Sequence, residues 1–261
     1  MTDISIVIIT WRMRDLLDTM LKSLIKHSQN FTYELIIIDN NSQDGTVELI
    51  ESKYPDSILI KNEANKGVAP ARNQGLKIAK GRYILILDAD MELVENSLKK
   101  MLTFMDSNPD VGLCGCKLLD TDRIMQYSCK NFPSVFSLLA RRLEFISFVK
   151  NSNILKHHIM ADFDHKGIKE VDYVIGACQF YQKSLIDKIG YYDENIFYGP
   201  EDLDYCLRTW RAGYKVAYYP ETHIIHHEQR ITKKKLFSAI SGKHFKGIYY
   251  IFKKYKFKLT R

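Results

Sequence analysis

The chain has 261 residues, 46% hydrophobic and 26% charged, a balance that suits a globular protein with a sizeable core, and no apolar run approaches the about 18 residues of a membrane span. The formal net charge of +7 is uneven: from Arg230 to Arg261 there are eleven Lys or Arg and no Asp or Glu, so the preceding residues carry 27 basic and 31 acidic groups, a net −4. Five cysteines (Cys114, Cys116, Cys129, Cys178 and Cys206) are odd in number and lack CxxC spacing, which argues against a disulfide framework and for reduced thiols, as in cytosol.

The first residues, Met1 to Val7, lack the basic flank and cleavage site of a signal peptide, and Ile4 to Thr10 reads as a buried strand. Leu16, Leu17, Met20, Leu21, Leu24 and Ile25 follow at helical spacing. Tyr33 to Asp39 reads as a second strand, Val47 to Tyr54 as a helix and Ile58 to Ile60 as a third strand. Gly67 to Ala79 is a helix with Pro70 in its first turn, and Tyr83 to Leu87 is a strand that ends abruptly in Asp88-Ala89-Asp90. Such strand–helix alternation predicts a parallel sheet with right-handed crossovers. After Asp90 the rhythm changes. Leu93 to Met105 reads as helix and Val111 to Leu118 as strand. Phe136, Leu138, Leu139, Leu143 and Phe145 suggest one amphipathic helix, and His157 to Lys169 a polar loop. Val171 to Gln182 reads as one strand, Ser184 to Ile189 as a short helix, and Glu201 to Ala212 as a helix closed by Gly213. Two short strands, Lys215 to Tyr219 and His223 to His226, precede a basic, aromatic helix from Phe237 to Tyr255.

Five stretches carry groups suited to chemistry. An unbroken apolar strand is buried on both faces, and open α/β sheets bind ligands beyond the carboxyl ends of their strands, so Asp88 and Asp90 sit where a ligand arrives. Hard oxygen ligands at such a rim suit Mg²⁺ or Mn²⁺ with a diphosphate; a solvated turn is the plain alternative. Asp39 also closes a strand, and it can accept from the imide N–H of uracil or thymine or from a ribose hydroxyl, unless the turn around Ser42 and Asp44 only caps a helix. Asn65-Lys66-Gly67 opens a helix whose free N–H groups attract phosphate, with Arg72 adding a permanent charge and Gly67 and Gly75 permitting close approach; a helix start with a packing glycine is the competing reading. Glu201, Asp202 and Asp204 crowd another helix start, more acid than a cap requires, so one of them can serve as a general base. On a strand, His223 and His227 share one face and His226 takes the other.

In order and spacing these residues resemble family-2 glycosyltransferases. The resemblance rests on Ser5 to Thr10, Asp39 to Thr46, Asn65-Lys66-Gly67 with Ala71 to Gly75, and Asp88-Ala89-Asp90. Gly176-Ala177, Gly190 to Glu194, Gly199 to Arg208, Ala212-Gly213-Tyr214 and His226-His227 are similar to the rhamnosyltransferase-like branch. It implies an α/β fold of the GT-A type, a Rossmann-like sheet with helices on both faces, and an inverting transfer from a nucleoside-diphosphate sugar such as dTDP-rhamnose or a UDP-sugar. In the implied site Thr10, Trp11, Asp39, Asn41, Asn65, Lys66, Gly67, Arg72, Asp88, Ala89 and Asp90 hold the donor. Asp90, Asp88 and His226 hold Mn²⁺ or Mg²⁺, and Asp202 is the base, with Glu201 the second candidate. Trp11-Arg12 departs from the aromatic–Asn pair usual in the family, and Gln179-Phe180-Tyr181 is more polar than usual after Gly-Ala.

The implied organisation is a transferase domain over 1–229, with a nucleotide-sugar half (1–118) and an acceptor half (119–229), then the basic tail (230–261). The implied acceptor is a glycan or lipid-linked glycan of the cell surface, and the implied location is the cytoplasm, at the inner face of the plasma membrane. The tail either lies on anionic lipid, packs its aromatic face on the domain, or closes over the diphosphate; a nucleic-acid partner is not expected. Two rivals fare worse. A sugar-nucleotide nucleotidyltransferase wants a Gly-rich loop after the first strand, where Thr10 to Asp15 has no Gly. A non-catalytic glycan- or nucleotide-binding module needs no base.

Overall fold

The computed structural model describes residues 2–143, 146–229 and 239–261. The first half alternates as the sequence predicts: β1 (Ile4–Thr10), α1 (Arg14–His27), β2 (Tyr33–Asp39), α2 (Thr46–Lys53), β3 (Ile58–Lys61), α3 (Val68–Ile78) and β4 (Tyr83–Asp88). These strands pair in parallel in the order β3-β2-β1-β4. Alternation along β1 explains why its apolar run is unbroken. Ile4, Ile6 and Ile8 pack with Leu17, Met20, Leu21 and Leu24 of α1 in one core. Val7 faces the other way, onto Ala71 and Leu76 of α3 in a second core.

The same sheet runs on into the second half. Next come β5 (Met91–Leu93), α4 (Ser97–Ser107), β6 (Val111–Leu119), β7 (Met125–Gln126) and β8 (Cys129–Lys130). Then follow α5 (Val135–Arg142), α6 (Ser147–Lys150), α7 (Asn153–His158), β9 (Lys169–Glu170), β10 (Tyr173–Val174) and β11 (Cys178–Gln182). The chain ends with α8 (Ser184–Ile189), α9 (Glu201–Arg211), β12 (Lys215–His226) and α10 (Ala239–Lys254). Beyond β4 the order is β11-β6-β12-β5, with β11 antiparallel to both its neighbours, and β8 and β10 form a separate two-stranded sheet.

Several expectations need correcting. Val171 to Gln182 is not one strand. Between β10, in the small sheet, and β11, in the main sheet, the chain turns where side chains claim the Gly176 backbone: its N–H donates to Asp202 and its carbonyl accepts from Arg72. Leu93 ends a strand instead of starting a helix, since β5 pairs with β12 at His226. The two late strands are one, β12, with a register shift between Tyr219 and His223, where Pro220 has no N–H to give. His157 and His158 close α7 and are not loop. The amphipathic helix is α5; Phe145 lies outside the described residues, as do Arg230, Lys233, Lys234, Lys235 and Phe237 of the tail. Among the described residues no helix is long and apolar enough to cross a membrane.

Candidate active site

The carboxyl ends of β1, β2 and β4 open onto a cavity of about 580 Å³, within the range of small-ligand sites. Its wall brings together Trp11, Asn65, Gly67, Arg72, Asp88, Ala89, Asp90, Glu201, Asp202 and His226. Thr10, Asp39, Asn41 and Lys66 are not part of that wall.

Asp39 and Thr10 lie beside each other as register partners at the tips of β2 and β1. Asp39 is 3% exposed; its Oδ2 accepts from the Ser42 N–H at 3.1 Å. Its Oδ1, like Thr10 Oγ1, is buried with no hydrogen-bond partner among the described residues. Asp44 takes the Thr46 N–H at 3.2 Å where α2 begins. The turn therefore does local hydrogen bonding at Asp44 and still leaves one unmatched acceptor at Asp39, which an imide N–H or a ribose hydroxyl would satisfy. Asn40, not singled out by the sequence, is the residue that reaches the cavity. Its amide donates to Asn65 Oδ1 and Gly67 O, both at 3.1 Å, and accepts from Lys66 N at 3.1 Å, so it sets the shape of the 65–67 turn.

The two glycines permit close approach, but of protein to protein. Gly67 has φ +91°, and a Cβ there would lie 2.5 Å from Phe197 O. A Cβ on Gly75 would lie 2.5 Å from Val7 Cγ1. The first N–H of α3, at Val68, donates to Phe197 O at 2.6 Å, so that helix start is partly covered by the chain itself.

Arg72 is likewise turned inward. It is 2% exposed, with Nη1 3.0 Å from Glu201 Oε1 and Nη2 3.2 Å from Asp88 Oδ1 and 2.8 Å from Gly176 O. Its charge first serves two carboxylates, whereas the sequence reading had it serve a phosphate. Glu201 is buried, and burial pushes its carboxyl up to about 7 against the pull of Arg72. Its Oε2 has no partner among the described residues. Asp202, the next residue, faces the cavity; Oδ2 accepts from Gly176 N at 2.9 Å and Oδ1 from Leu203 N at 2.7 Å. Asp204 is fully buried, pairs with Arg208 Nε one turn along its own helix (2.8 Å), and anchors the tail through Lys254 Nζ (2.7 Å) and Tyr255 OH (2.7 Å).

At the end of β4, Asp88 is 41% exposed and Asp90 is buried. Burial first, and Asp88 second, raise the Asp90 carboxyl to about 6, with His226 opposing. Pairing of β5 with β12 brings His226 Nε2 to 3.6 Å from Asp90 Oδ1. Gln126, also unforeseen, fixes the ring: its Nε2 donates to His226 O at 3.1 Å, which aims its Oε1 at His226 Nδ1, 2.8 Å away. The Nδ1–H therefore donates to the amide, which fixes the ring with Nε2 on the Asp90 side. A buried carboxylate repelled by a second one, beside an oriented imidazole nitrogen, suits a Mn²⁺ or Mg²⁺ ion. Among the described residues no three His, Cys, Asp or Glu side chains gather as a complete metal nest, so the other ligand positions would fall to a diphosphate and water.

The tail closes the cavity from one side. Ile251, Phe252 and Leu259 are buried, Lys254 bonds Asp193 and Asp204, and Arg261 Nε reaches Asp172 Oδ1 at 2.7 Å. The packing alternative thus describes the inner face of α10. Phe245, Tyr249 and Phe257 remain exposed.

Residues 5–190 match the family model described as glycosyl transferase family 2. The chain is 22% identical over 256 residues to an N-acetylglucosaminyl-diphospho-decaprenol L-rhamnosyltransferase of Mycobacterium tuberculosis, covering 94% of this chain and 82% of that protein. It is 26% identical over 226 residues to a chondroitin synthase of Pasteurella multocida, covering 80% of this chain but only 23% of that much longer protein. Among solved structures it is similar to the mannosyltransferase PcManGT from Pyrobaculum calidifontis in complex with GDP-Man and Mn²⁺, with TM-score 0.60, 18% identity, and 88% of this chain and 58% of that one covered.

Proposed function

The chain belongs to glycosyl transferase family 2, built on the GT-A fold, and we propose that it moves a sugar from a nucleoside-diphosphate donor to a hydroxyl of a lipid-linked glycan, with inversion. The observation that carries this reading is the placement of Asp202 in one cavity wall with Asp88 and Asp90, its two oxygens oriented by the N–H groups of Gly176 and Leu203. Asp202 takes the proton of the acceptor hydroxyl as that oxygen bonds to the anomeric carbon and the bond to the diphosphate breaks. Asp39 and Thr10 support a base or ribose contact, and Asn40 holds the 65–67 turn against the donor. Asp90 and His226 would hold Mn²⁺ or Mg²⁺, with Asp88 beside them toward the diphosphate. A bound divalent ion offsets negative charge growing on the leaving diphosphate. The donor is a dTDP- or UDP-sugar, and the rhamnosyltransferase similarity supports an acceptor joined to its lipid through a diphosphate. Such an acceptor places the enzyme at the inner face of the plasma membrane, where the exposed aromatics of the tail suit contact with anionic lipid.

A thermal-shift panel of UDP, dTDP, GDP and CMP, each with Mn²⁺, Mg²⁺ or EDTA, tests the donor site. A ligand at a hundredfold excess over its Kd stabilises by about 2.7 kcal/mol. One diphosphate should raise the melting temperature of the wild type only with metal, and not that of Asp90→Ala. No shift with any nucleotide, in protein shown to be folded, overturns the reading.

A further inference from the structure

Donor chemistry leaves Lys130 and Arg141 of the cavity wall without work; a third cation there, Lys243, stands over the Phe197 ring, 3.4 Å from its centre. Lys130 closes β8 and is the register partner of Tyr173 on β10. It is 8% exposed, and its ammonium stands 5.8 Å from the centre of the Tyr173 ring. Arg141, on α5, lines the same wall. Neither has an ion pair or a hydrogen bond from its charged group among the described residues. Asp202 and Glu228 are the carboxylates that face Lys130, and neither forms an ion pair with it. The remaining neighbour, His158, is neutral: its Nδ1 lies 2.8 Å from Asn131 O, and burial and then Lys130 push its pKa down to about 3. Three residues beyond Tyr173, the Gly176 N–H holds Asp202. The unpaired cations therefore share the cavity wall with the proposed base, and the Lys130 ammonium feels the Asp202 carboxylate directly.

A buried charge costs several kcal/mol unless it is paired. A fold that keeps an ammonium in a cavity wall, with a guanidinium beside it and no ion pair to either among the described residues, is completed by an anion that arrives with a ligand. We propose that Lys130 and Arg141 form an acceptor-side anion subsite that grips a phosphate of the acceptor close to the hydroxyl that Asp202 activates. This rests on the transferase reading for its placement in a reaction, but not for the binding itself. The guanidinium matches phosphate as a fork and the ammonium as a point charge. Burial, and Arg141 next, hold the Lys130 pKa down to about 7 against Asp202, Glu228 and Cys129, and an arriving phosphate would restore its full charge. Two sources offer such a phosphate: a lipid diphosphate or a polyol phosphate. The neighbouring surface favours the first, because Phe136 on α5 and Phe148 on α6 are 71% and 86% exposed.

The test is calorimetric titration of the full chain with geranyl diphosphate and with glycerol 3-phosphate, in EDTA and without donor. Wild type should bind at least one. Lys130→Met and Arg141→Met should each weaken that binding about tenfold, and Lys130→Arg should keep it within about threefold, by the strength of charge-assisted hydrogen bonds. Preference for geranyl diphosphate assigns the subsite to a lipid-borne phosphate, and equal binding assigns it to phosphate as such. Lys130→Met binding as tightly as wild type, or wild type binding neither probe, overturns the proposal. Because no donor is present, binding can succeed even if no sugar transfer is ever found, so the two readings fail separately. With turnover in hand, Lys130→Met should raise KM for a phosphorylated acceptor and leave kcat nearly unchanged.

Discussion

Replacing Lys130 by Met should make the protein more stable, and by an amount that depends on pH. The side chain is 8% exposed, and burial followed by Arg141 lowers its pKa from 10.5 to about 7. A lysine whose folded pKa is lowered binds fewer protons in the fold than in the unfolded chain, so the fold gains stability as pH rises between the two values. Below pH 7 the full penalty of holding the charge applies, about 5 kcal/mol from the gap between 10.5 and about 7. By pH 9.5 the folded lysine is neutral and the penalty has shrunk to about 1 kcal/mol. Met has similar length and no charge to desolvate. Lys130→Met should therefore exceed the wild type by up to about 5 kcal/mol at pH 6, with cavity water reducing the figure, and by about 1 kcal/mol at pH 9.5. For a chain of this size that is roughly 10 °C in melting temperature at pH 6. Thermal or urea unfolding at the two pH values measures it. A variant no more stable than wild type at pH 6, or a gain that is the same at pH 9.5, would refute the reasoning. The stability given up at Lys130 would then not be the mark of a site awaiting an anion.

The other predictions concern the proposed chemistry and its support. Asp202→Asn should lower kcat by about 10²–10⁴ while nucleotide binding stays close to wild type, measured by initial rates beside thermal shift. Glu201→Gln should keep far more of that turnover, and equal losses at the two positions would move the base to Glu201. Gln126→Ala frees the His226 ring, and the apparent affinity for Mn²⁺ in nucleotide binding should fall about 10–100-fold. Arg72→Met leaves Glu201 and the Gly176 carbonyl unmatched in the interior, and denaturant unfolding should show a loss of about 3–5 kcal/mol.

The parallel half of the sheet was legible because β1, β2 and β4 are buried on both faces, which writes an unbroken apolar run into the sequence. The strands that carry Gln126 and Lys130 were not, since β7 and β8 have two residues each and too few positions to show a period. Long-range ties were equally hidden. Arg72 read as a phosphate ligand because its position on α3 is visible locally, while its partner Glu201 is 129 residues away. Gly67 and Gly75 did mark close approaches, but only packing shows that Phe197 and Val7 fill the space. For His226, spacing within the family pattern pointed to Asp90, and the β5–β12 pairing supplies the physical reason.

Glu201 and Asp202 show why a perturbed carboxyl is not by itself a base. Burial sets Glu201 near 7, the value that a general base at neutral pH would want. The geometry favours Asp202 for the proposed role: one Glu201 oxygen is 3.0 Å from Arg72 Nη1, and the other is buried out of contact with solvent. A proton acceptor must reach the hydroxyl it serves. Asp202 is held instead by backbone N–H groups on both oxygens, and each oxygen keeps lone-pair capacity toward the cavity. The same Gly176 that donates to Asp202 accepts from Arg72, and Arg72 binds Asp88. Asp88, the buried ion pair and the proposed base are thus joined through one arginine and one glycine. A Cβ at Gly176 would lie 2.9 Å from Arg72 Nη1 and 3.3 Å from Asp202 Cβ, so any side chain there presses on both ends of the link at once.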